Sequence, residues 1–390
     1  MDILCAGTAG GCTHIDISFR SSPPPAMRVR IERDKNLSEL TTFKIGGKAD
    51  YFCRVVSTVE LQEALAFARP AVGGASARSL PIFILGGGSN VLVGDDGFRG
   101  FVIKIEISGI VWEEKTHQMF AAYQHLVRAC AGENWDAFVA ETITRGLWGL
   151  ENLSGIPGTV GGAPVQNIGA YGSEVKNVIE WVEAVDMRTG APRKMLPEEC
   201  EFGYRDSIFK KKEGKNYIIT RVAFCLRADG TPNLSYKDLA EHFARPTRKR
   251  SRCGRAGKPT PTLSEVRRAV LEIRARKFPS LDTHGTAGSF FKNPVVSPEK
   301  FAELKKRFPE LSGFTTEKMV KLSLAWILDK MCGLKGYSHD GAALWKDQPL
   351  VLVNEGGASA SDVEALAEKI AAIVKEKTGI EIEREVQSVS

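Results

Sequence analysis

From Phe43 onward, short apolar runs alternate with segments of helical periodicity. The runs KIGGKADYFCRVV, IFILGGG, VLVG and FVIKI concentrate β-branched and aromatic residues, which is typical of strands. The segment 57–69 between the first two runs has helical spacing, with a capping box of Ser57 and Glu60 at its start and Pro70 at its end. The pattern predicts an N-terminal α/β unit.

A second α/β stretch is predicted over about 124–226, and it includes a helix over 135–145. Residues 227–262 are polar, basic and contain prolines, which indicates a long excursion or linker between folded parts.

Two clearer helices are predicted in the C-terminal part of the chain. Leu263–Lys277 has apolar residues on one face and arginines on the other, and Pro279 ends it. Ser361 and Glu364 predict the capped start of the last helix, and Gly379 predicts its end. The alternating run IEIEREV that follows predicts a final strand.

Composition places the chain among ordinary folded proteins, since 43% of its 390 residues are hydrophobic and 26% are charged. Roughly two or three domains are expected at this length. The eight cysteines contain no Cys-x-x-Cys pair, so we expect reduced thiols and no metal site. No apolar run approaches the roughly 18 residues of a membrane helix, and no signal-peptide pattern opens the chain. We therefore expect a soluble intracellular protein, with a loosely ordered tail over residues 1–35.

The net charge of +6 is concentrated in residues 245–258, which hold seven Lys and Arg and no acid. Without these seven charges the remaining net charge is −1, and a broad basic surface for nucleic acid is missing. The segment is interpreted as a solvated basic loop or as an interaction loop for anionic partners.

The run IFILGGGSNVLV at residues 82–93 leads from an apolar strand into three glycines, Ser89 and Asn90. Glycines let backbone N–H groups approach phosphate oxygens, and Ser and Asn add side-chain hydrogen bonds. β-Branched residues follow instead of a helix, so this is not the G-x-G-x-x-G dinucleotide fingerprint. Taken alone, the run predicts either a pyrophosphate-binding loop or a tight hairpin turn.

Residues 152–172, NLSGIPGTVGGAPVQNIGAYG, form a second loop with six glycines and two prolines. Backbone without bulky charged groups suits a large planar ligand and its phosphates, with Gln166 and Asn167 as polar groups. The alternative is a flexible linker, which the regular placement of Ile156 and Val160 disfavours.

These two loops, with TTFKIGGKADYF before them and GYRDSIFK and GSFFKNP after them, resemble the UDP-N-acetylenolpyruvoylglucosamine reductase (MurB) family. The five motifs occur in the family's order between about Asn36 and Val386. The resemblance implies an α+β fold, with a two-subdomain FAD-binding fold of the vanillyl-alcohol-oxidase (PCMH) type and a smaller α/β substrate-binding domain. The implied divisions are a tail (1–35), an FAD-binding domain (36–226, subdomains about 36–105 and 106–226), a substrate loop and basic excursion (227–262), a connecting helix (263–279), a substrate-binding domain (280–379) and a C-terminal strand returning to the active site (380–390).

The resemblance also implies a reaction. In this family FAD transfers hydride to an enolpyruvyl ether of UDP-N-acetylglucosamine, giving UDP-N-acetylmuramate for peptidoglycan synthesis, with NADPH as reductant. Enolate charge then needs a cation and a proton donor. The implied groups are Arg205 as the cation, Glu385 as its partner near the substrate carboxylate, and Ser289 as the proton donor. From the residues alone, these would be a surface ion-pair partner, an exposed strand residue and a turn residue.

The binding residues that the resemblance implies form two sets. FAD is expected to bind without a covalent link, because no histidine lies in 82–93. The FAD residues are Gly86, Gly87, Gly88, Ser89, Asn90, Gly155, Gly158, Thr159 and Gln166. The substrate residues are Tyr204, Tyr236, Lys277, Asn293 and Gln348.

Tyr236 corresponds to the substrate-loop tyrosine of the family's looped type. From the residues alone, Tyr236 is equally a core aromatic, and Lys277 a cation at a helix C-terminus. The expected partners are the UDP-sugar and NADPH, with no nucleic acid and no membrane insertion, and we expect a cytoplasmic monomer. Gln387 stands where the family usually has arginine, which leaves any contact of that position near the flavin open.

Two other function classes are alternatives to the reductase. A flavin-dependent alcohol or sugar-lactone oxidase of the same superfamily would share the FAD-binding domain but lack GSFFKNP in a separate domain. A non-enzymatic nucleotide-binding module would use the basic run 245–258 to bind nucleic acid, with a steep salt dependence.

Overall fold

A computed structural model of the protein describes residues 28–69, 79–115, 124–244, 260–315 and 318–390. Residues 1–27 of the predicted tail, Pro70 and the basic run 245–258 lie outside the described residues.

The strands are numbered here in chain order, as are the helices. The strands are β1 (Glu32–Asn36), β2 (Lys48–Val55), β3 (Ile82–Leu85), β4 (Val91–Val93), β5 (Phe98–Ile105), β6 (Ile110–Lys115), β7 (Gln124–Cys130), β8 (Gly169–Ala170), β9 (Ser173–Glu174), β10 (Ile179–Asp186), β11 (Pro192–Met195), β12 (Tyr217–Arg227), β13 (Gly285–Ser289), β14 (Val295–Val296), β15 (Gly313–Thr315), β16 (Val320–Leu322), β17 (Ser338–His339), β18 (Ala342–Leu344), β19 (Val351–Asn354) and β20 (Gln387–Val389). The α-helices are α1 (Thr58–Ala68), α2 (Trp135–Thr144), α3 (Gly162–Val165), α4 (Lys237–Ala244), α5 (Leu263–Lys277), α6 (Pro298–Arg307), α7 (Leu324–Trp326) and α8 (Ala360–Thr378). Within the described ranges, no helix is both long enough and apolar enough to span a membrane.

The N-terminal sheet has the strand order β1-β2-β5-β3, in which β1 is antiparallel to β2 and the other neighbours are parallel. Helix α1 packs against β2. Ser57 caps this helix as predicted, accepting a hydrogen bond from the Glu60 amide at 3.2 Å. The Glu60 carboxylate accepts from the Val56 amide instead of the Ser57 amide, so the two bonds do not form a reciprocal capping box. Because β1 belongs to the sheet, the predicted tail is wrong for residues 32–35.

The second sheet is antiparallel, with the order β11-β10-β12-β7-β6. Helix α2 covers it and agrees with the helix predicted over 135–145. Trp135 and Phe138 of α2 contact the Phe224 ring of β12, with ring centroids 6.1 and 5.0 Å away. The same apolar cluster includes Phe101 of β5, so the two sheets are packed on one continuous core.

Helix α5 has the predicted bounds, Leu263–Lys277. A capping box of Thr262 with Glu265, which was not predicted, starts it. Helix α4 lies inside the excursion predicted over 227–262, and its buried Leu239 packs on the apolar face of α5. The excursion is therefore not a plain linker, because part of it is a helix docked on α5.

The C-terminal part contains the antiparallel sheet β13-β19-β18-β17 and the small sheet β14-β16-β15. Its apolar core includes Phe290, Leu352 and Leu366 of this part together with Phe43 and Leu92 of the N-terminal part. Strand β20 pairs in parallel with β4, directly after the first glycine loop. The chain end is thereby anchored beside that loop.

The start of α8 differs from the prediction. Its N-cap is Ser359, and Asp362 completes the capping box. Ser361 and Glu364, which were expected to fill these positions, lie inside the helix, so this prediction is wrong by two residues.

The final strand is also displaced. Gly379 ends α8 in the left-handed conformation, with φ 68°, as predicted. The following residues 380–386 form only an isolated bridge between Arg384 and Phe291, and the strand itself is Gln387–Val389. The strand prediction for IEIEREV is therefore wrong, although the segment does return to the body of the protein.

Candidate active site

The two glycine loops face each other at close range. A Cβ atom on Gly87 would lie 2.7 Å from the Gly158 Cα, and one on Gly86 would lie 2.9 Å from Thr159 Oγ1. A side chain at Gly87 would require movement of the backbone, and one at Gly86 would displace the Thr159 side chain. Ser89 Oγ also bridges the loops, donating a hydrogen bond to the Pro157 carbonyl at 2.9 Å. The predicted FAD residues of both loops therefore form one backbone-lined surface.

Gly88 shows why the first loop needs glycine. Its φ is 63°, and a Cβ atom there would lie 2.1 Å from the Leu40 carbonyl oxygen. Its own carbonyl accepts the Thr42 amide at 3.0 Å. The loop is thus held against the segment that precedes β2, with no room for a side chain.

Asn90 links the glycine loops to the C-terminal segment. Its Nδ2 donates to Gln166 Oε1 at 2.6 Å and to the Glu385 carbonyl at 3.2 Å. Its carbonyl accepts the Gln387 amide at 3.0 Å. Gln387 contributes its backbone here, while its side chain is exposed. Asn90 therefore brings the predicted cofactor and catalytic residues into direct contact.

Arg205 sits at the tip of a tight hairpin closed by backbone hydrogen bonds between Gly203 and Asp206. It has a φ of 53°, an uncommon conformation for a residue with a side chain. Its Nη2 donates to the Gly169 carbonyl at 2.7 Å. Its Nε lies 3.0 Å from Glu385 Oε1, but the buried Nε–H lacks the alignment of a hydrogen bond to any described residue. The hairpin therefore places the half-buried Arg205 guanidinium against the Glu385 carboxylate.

Glu385 is 9% exposed, which is unusual for a carboxylate unless a cation faces it. Burial raises the pKa of Glu385, and the charges of Arg205, Lys210 and Lys292 act in the opposite direction. Lys292 is itself paired with Glu383 at 2.9 Å. The site thus holds one buried acid among three cations.

Ser289 reaches the site through backbone pairing. The Glu385 amide donates to the carbonyl of Phe290, the residue after Ser289, at 2.8 Å. Ser289 is half-buried and pairs with Val351 at a point where the register of β13 and β19 shifts. Gln348 lies in the turn before β19, and its carbonyl accepts the Val351 amide at 2.9 Å. Ser289 is therefore next to the backbone that fixes Glu385.

Tyr204 and Asn293, two predicted substrate residues, are in contact. Burial raises the pKa of the Tyr204 phenol, and Arg205 and hydrogen bonds from Asn293 oppose that rise. Asn293 Oδ1 also accepts the Leu324 amide at 2.9 Å. Lys321 Nζ lies 4.7 Å from the centroid of the Tyr204 ring, which is within range of a cation–π contact.

Tyr236 and Lys277 form a separate group at the junction of α4 and α5. Lys277 Nζ lies 2.5 Å from Asp238 Oδ2, while the Tyr236 ring packs edge-on against Tyr171 with centroids 5.4 Å apart. Tyr236 belongs to the apolar cluster that contains Leu239, which agrees with the alternative of a core aromatic. The structure therefore divides the predicted substrate residues between two places.

Four charged residues around the site were not predicted. Lys210 and Lys292 lie inside the motifs GYRDSIFK and GSFFKNP, so their positions in these motifs could have identified them as site residues. Lys321 and Asp136 had no local signal, because the groups that they contact are distant in sequence. The Arg267 partner of Asp136, for example, is 131 residues away.

The residues fit a bound FAD on two observations. The two glycine loops lie directly against each other, with backbone and no intervening side chains where they meet, which suits backbone binding of a pyrophosphate. Next to it, the Arg205 Nε–H is a buried donor without an aligned acceptor among the described residues. Gly86–Asn90 and Gly155–Gln166 would hold the group. The fold and the site thus define a flavin-binding protein.

Comparisons with known proteins agree and go further. Residues 49–195 match the family model described as FAD binding domain, and residues 279–389 match UDP-N-acetylenolpyruvoylglucosamine reductase, C-terminal domain. The UDP-N-acetylenolpyruvoylglucosamine reductase of Paraburkholderia xenovorans is 41% identical over 347 residues, covering 88% of this chain and 93% of that protein. The one from Chromobacterium violaceum is 40% identical over 362 residues, covering 92% and 99%. The crystal structure of the Thermus caldophilus enzyme superposes with a TM-score of 0.59 at 27% identity, covering 93% of this chain and all of that one.

The chain belongs to the UDP-N-acetylenolpyruvoylglucosamine reductase family. It is an FAD-dependent oxidoreductase, and the predicted α+β fold class is confirmed. The match over residues 279–389 does not favour the flavin oxidase that was weighed as an alternative.

Proposed function

We propose that the protein reduces UDP-N-acetylglucosamine enolpyruvate to UDP-N-acetylmuramate, with NADPH as reductant and with FAD bound without a covalent link. It acts as a cytoplasmic monomer in peptidoglycan precursor synthesis, and through the cell wall it contributes to cell shape and cell division. The names of the relatives that match over most of the chain support this substrate.

The observation that carries the proposal is the ion pair of the half-buried Arg205 with the buried Glu385 beside the glycine loops. FAD supplies the hydride-transfer chemistry when bound. The chain's own task is to hold a carboxylated substrate and to stabilise the negative charge that develops on it. A half-buried arginine suits that task, because its attraction for an anion is strong where water is largely excluded.

Three residues divide the catalytic work. Arg205 and Glu385 together stabilise the enolate charge on the substrate carboxylate, and Glu385 also orients Arg205. Ser289 gives its hydroxyl proton to the enolate carbon. A serine is a weak acid in water, but an enolate carbon is a strong base, so a positioned serine suffices when the bound substrate excludes water. The half-burial of Ser289 and its position next to the carbonyl that binds the Glu385 amide support this role.

The nucleotide part of the substrate is assigned to the residues outside this centre. Tyr204, Asn293 and Gln348 lie on elements that border the catalytic group. Lys277 and Tyr236 would bind the diphosphate at the junction of α4 and α5. For Lys277 this requires its ammonium to exchange Asp238 for a phosphate oxygen, since the two now form an ion pair.

The test combines a spectrum with a reaction. Purified protein should show flavin absorption bands at about 370 and 450 nm, and acid precipitation should leave the yellow colour in the supernatant. NADPH oxidation should depend on the enolpyruvyl UDP-sugar, and mass spectrometry should detect a product heavier by two hydrogens.

A matched pair of variants completes this test. Glu385→Gln should lose at least about 10²-fold in kcat, whereas Glu381→Gln, an exposed acid on the same segment, should stay near the original rate. A colourless protein, or NADPH oxidation that ignores the UDP-sugar, would refute the proposal.

A further inference from the structure

Lys210 supports the backbone of the catalytic arginine. Its Nζ donates a hydrogen bond to the Arg205 carbonyl oxygen at 3.2 Å. The lysine ends the short helical turn Ile208–Lys210, and its side chain is half-buried. Because Arg205 has a left-handed backbone with φ 53°, its conformation depends on contacts of this kind. Lys210 therefore acts on the residue that carries the guanidinium.

The ammonium of Lys210 also belongs to the charge that surrounds Glu385. The cations that lower the free energy of the ionised Glu385 are, in decreasing order, Arg205, Lys210 and Lys292. Besides these cations, the titratable phenol of Tyr204 also lies near the Glu385 carboxylate. Loss of the Lys210 charge would leave the buried carboxylate with one cation fewer and so make it harder to ionise.

Lys210 is itself poised between charges of both signs. Burial lowers the pKa of Lys210, with a smaller effect of Lys292 in the same direction. The acids that oppose this are Glu385, Asp206 and Glu383. Among the described residues, Lys210 forms no ion pair within 4 Å, whereas its neighbour Lys211 pairs with Glu201 at 2.6 Å on the surface.

We propose that Lys210 is a positioning residue of the reductase reaction: its ammonium holds the backbone of Arg205 and favours the ionised form of Glu385, which faces Arg205. The inference rests on the proposed function for its kinetic consequence only. The hydrogen bond from Lys210 to the Arg205 carbonyl does not depend on that function.

The test compares three variants of the FAD-loaded enzyme. Lys210→Met removes the charge and keeps an unbranched side chain, Lys210→Arg keeps the charge, and Lys211→Met is the matched surface control. The first readout is the pH titration of the Glu385 carboxyl by infrared difference spectroscopy, with the band assigned through Glu385→Gln. The second is the pH profile of kcat/KM for the enolpyruvyl substrate.

Lys210→Met should move the Glu385 titration to higher pH by roughly 0.5 to 1 unit, because an ionised carboxylate that loses a nearby cation binds its proton more tightly. The acid limb of the kcat/KM profile should move by the same amount, and kcat/KM at neutral pH should fall about 10- to 100-fold. Lys210→Arg should restore the titration, and Lys211→Met should match the original enzyme in both readouts.

An unchanged Glu385 titration in Lys210→Met would overturn the inference, and so would a loss that Lys210→Arg fails to rescue, since that would indicate packing instead of charge. If the unmodified enzyme did not reduce the enolpyruvyl substrate, the proposed function would fall. The carboxyl titration would still decide the electrostatic role of Lys210.

Discussion

Replacing Asp136 with asparagine tests whether the second glycine loop is anchored to helix α5. Asp136 Oδ1 accepts the Gly155 amide at 2.5 Å and Arg267 Nη1 at 2.6 Å, and its Oδ2 accepts Arg267 Nη2 at 2.8 Å. One carboxylate on α2 thereby joins the FAD loop to the helix that ends at Lys277. If this anchor matters, its loss should affect both the stability of the protein and its hold on FAD.

The expected size follows from the three bonds. A hydrogen bond to a charged group contributes roughly 1.5 to 3 kcal/mol, and asparagine keeps one oxygen acceptor while turning an NH₂ group toward Arg267. The Asp136 side chain is 34% exposed and that of Arg267 is 18% exposed, so water compensates part of the loss. We therefore expect Asp136→Asn to lower the free energy of unfolding by about 1 to 3 kcal/mol.

The effect should also depend on pH. Burial alone would raise the pKa of Asp136, but Arg267 and the Gly155 amide outweigh it and lower the pKa. A carboxyl with a lowered pKa contributes stability above its unfolded value of about 3.9, and that contribution is lost as the pH falls through the folded value. The difference between the original protein and Asp136→Asn should therefore be full at neutral pH and shrink in acid.

The assay is urea unfolding at saturating FAD, together with FAD titration of the cofactor-free protein. Every 1.4 kcal/mol lost from the loop's anchoring should raise the dissociation constant of FAD by about tenfold. The matched control is Glu141→Gln on the same helix, because the Glu141–Arg145 pair is 40% and 47% exposed. An exposed pair of this kind should contribute less than about 0.5 kcal/mol.

A double-mutant cycle decides the outcome. With Arg267→Met as the second change, the coupling between Asp136 and Arg267 should be at least about 1 kcal/mol. The reasoning would be refuted by a smaller coupling, or by an Asp136→Asn protein that is as stable and binds FAD as tightly as Glu141→Gln. Either result would show that Asp136 does not anchor the glycine loop to α5.

Four further outcomes are expected. Ser289→Ala should leave reduction of the flavin by NADPH nearly intact and slow reoxidation by the enolpyruvyl substrate about 10²- to 10⁴-fold in stopped-flow experiments; equal effects on both steps would make Ser289 structural. Tyr236→Phe should raise the substrate KM through loss of one bond worth roughly 0.5 to 3 kcal/mol, and an unchanged KM would place the phenol in the core only. Asp95→Ala should lower the free energy of unfolding by about 1 kcal/mol in urea melts, because Asp95 accepts the Ala360 amide of α8 at 2.7 Å; no change would mean that water replaces it. Burial raises the pKa of Glu151 above the ordinary value of a glutamate. The original protein should therefore lose stability as the pH rises from that ordinary value to the raised one, whereas Glu151→Gln should not. Parallel stability curves for the two proteins would contradict this.

The parts of the fold that were predictable are those whose causes are local. Helix α5 has its capping box, apolar stripe and final proline within a short segment, and the prediction matches its bounds. The pair of Arg205 and Glu385 has no such local cause. Asn90 and Glu385 are in contact but lie 295 residues apart in the chain. From the sequence, only the resemblance of the motifs to a known family predicts that they share one site. Lys210 shows the reverse case, since it stood inside a quoted motif and gained a role only from its contact with Arg205.

The start of α8 shows how a distant contact decides between equal local signals. Ser359 with Asp362 and Ser361 with Glu364 have the same Ser-x-x-acid spacing, so both satisfy the rule for a capping box. In the folded protein, Asp95 of the N-terminal part accepts hydrogen bonds from the Ser361 amide at 3.0 Å and from its hydroxyl at 2.7 Å. Asp95 also accepts the Ala360 amide at 2.7 Å, so the N–H groups of Ala360 and Ser361 are satisfied when the helix starts at Ala360. The Ser359 hydroxyl then accepts the Asp362 amide at 3.1 Å and caps the helix. Of the two starts that the sequence permits, the helix therefore uses the earlier one, with Ser359 as its N-cap, at the point where it meets the FAD-binding part of the chain.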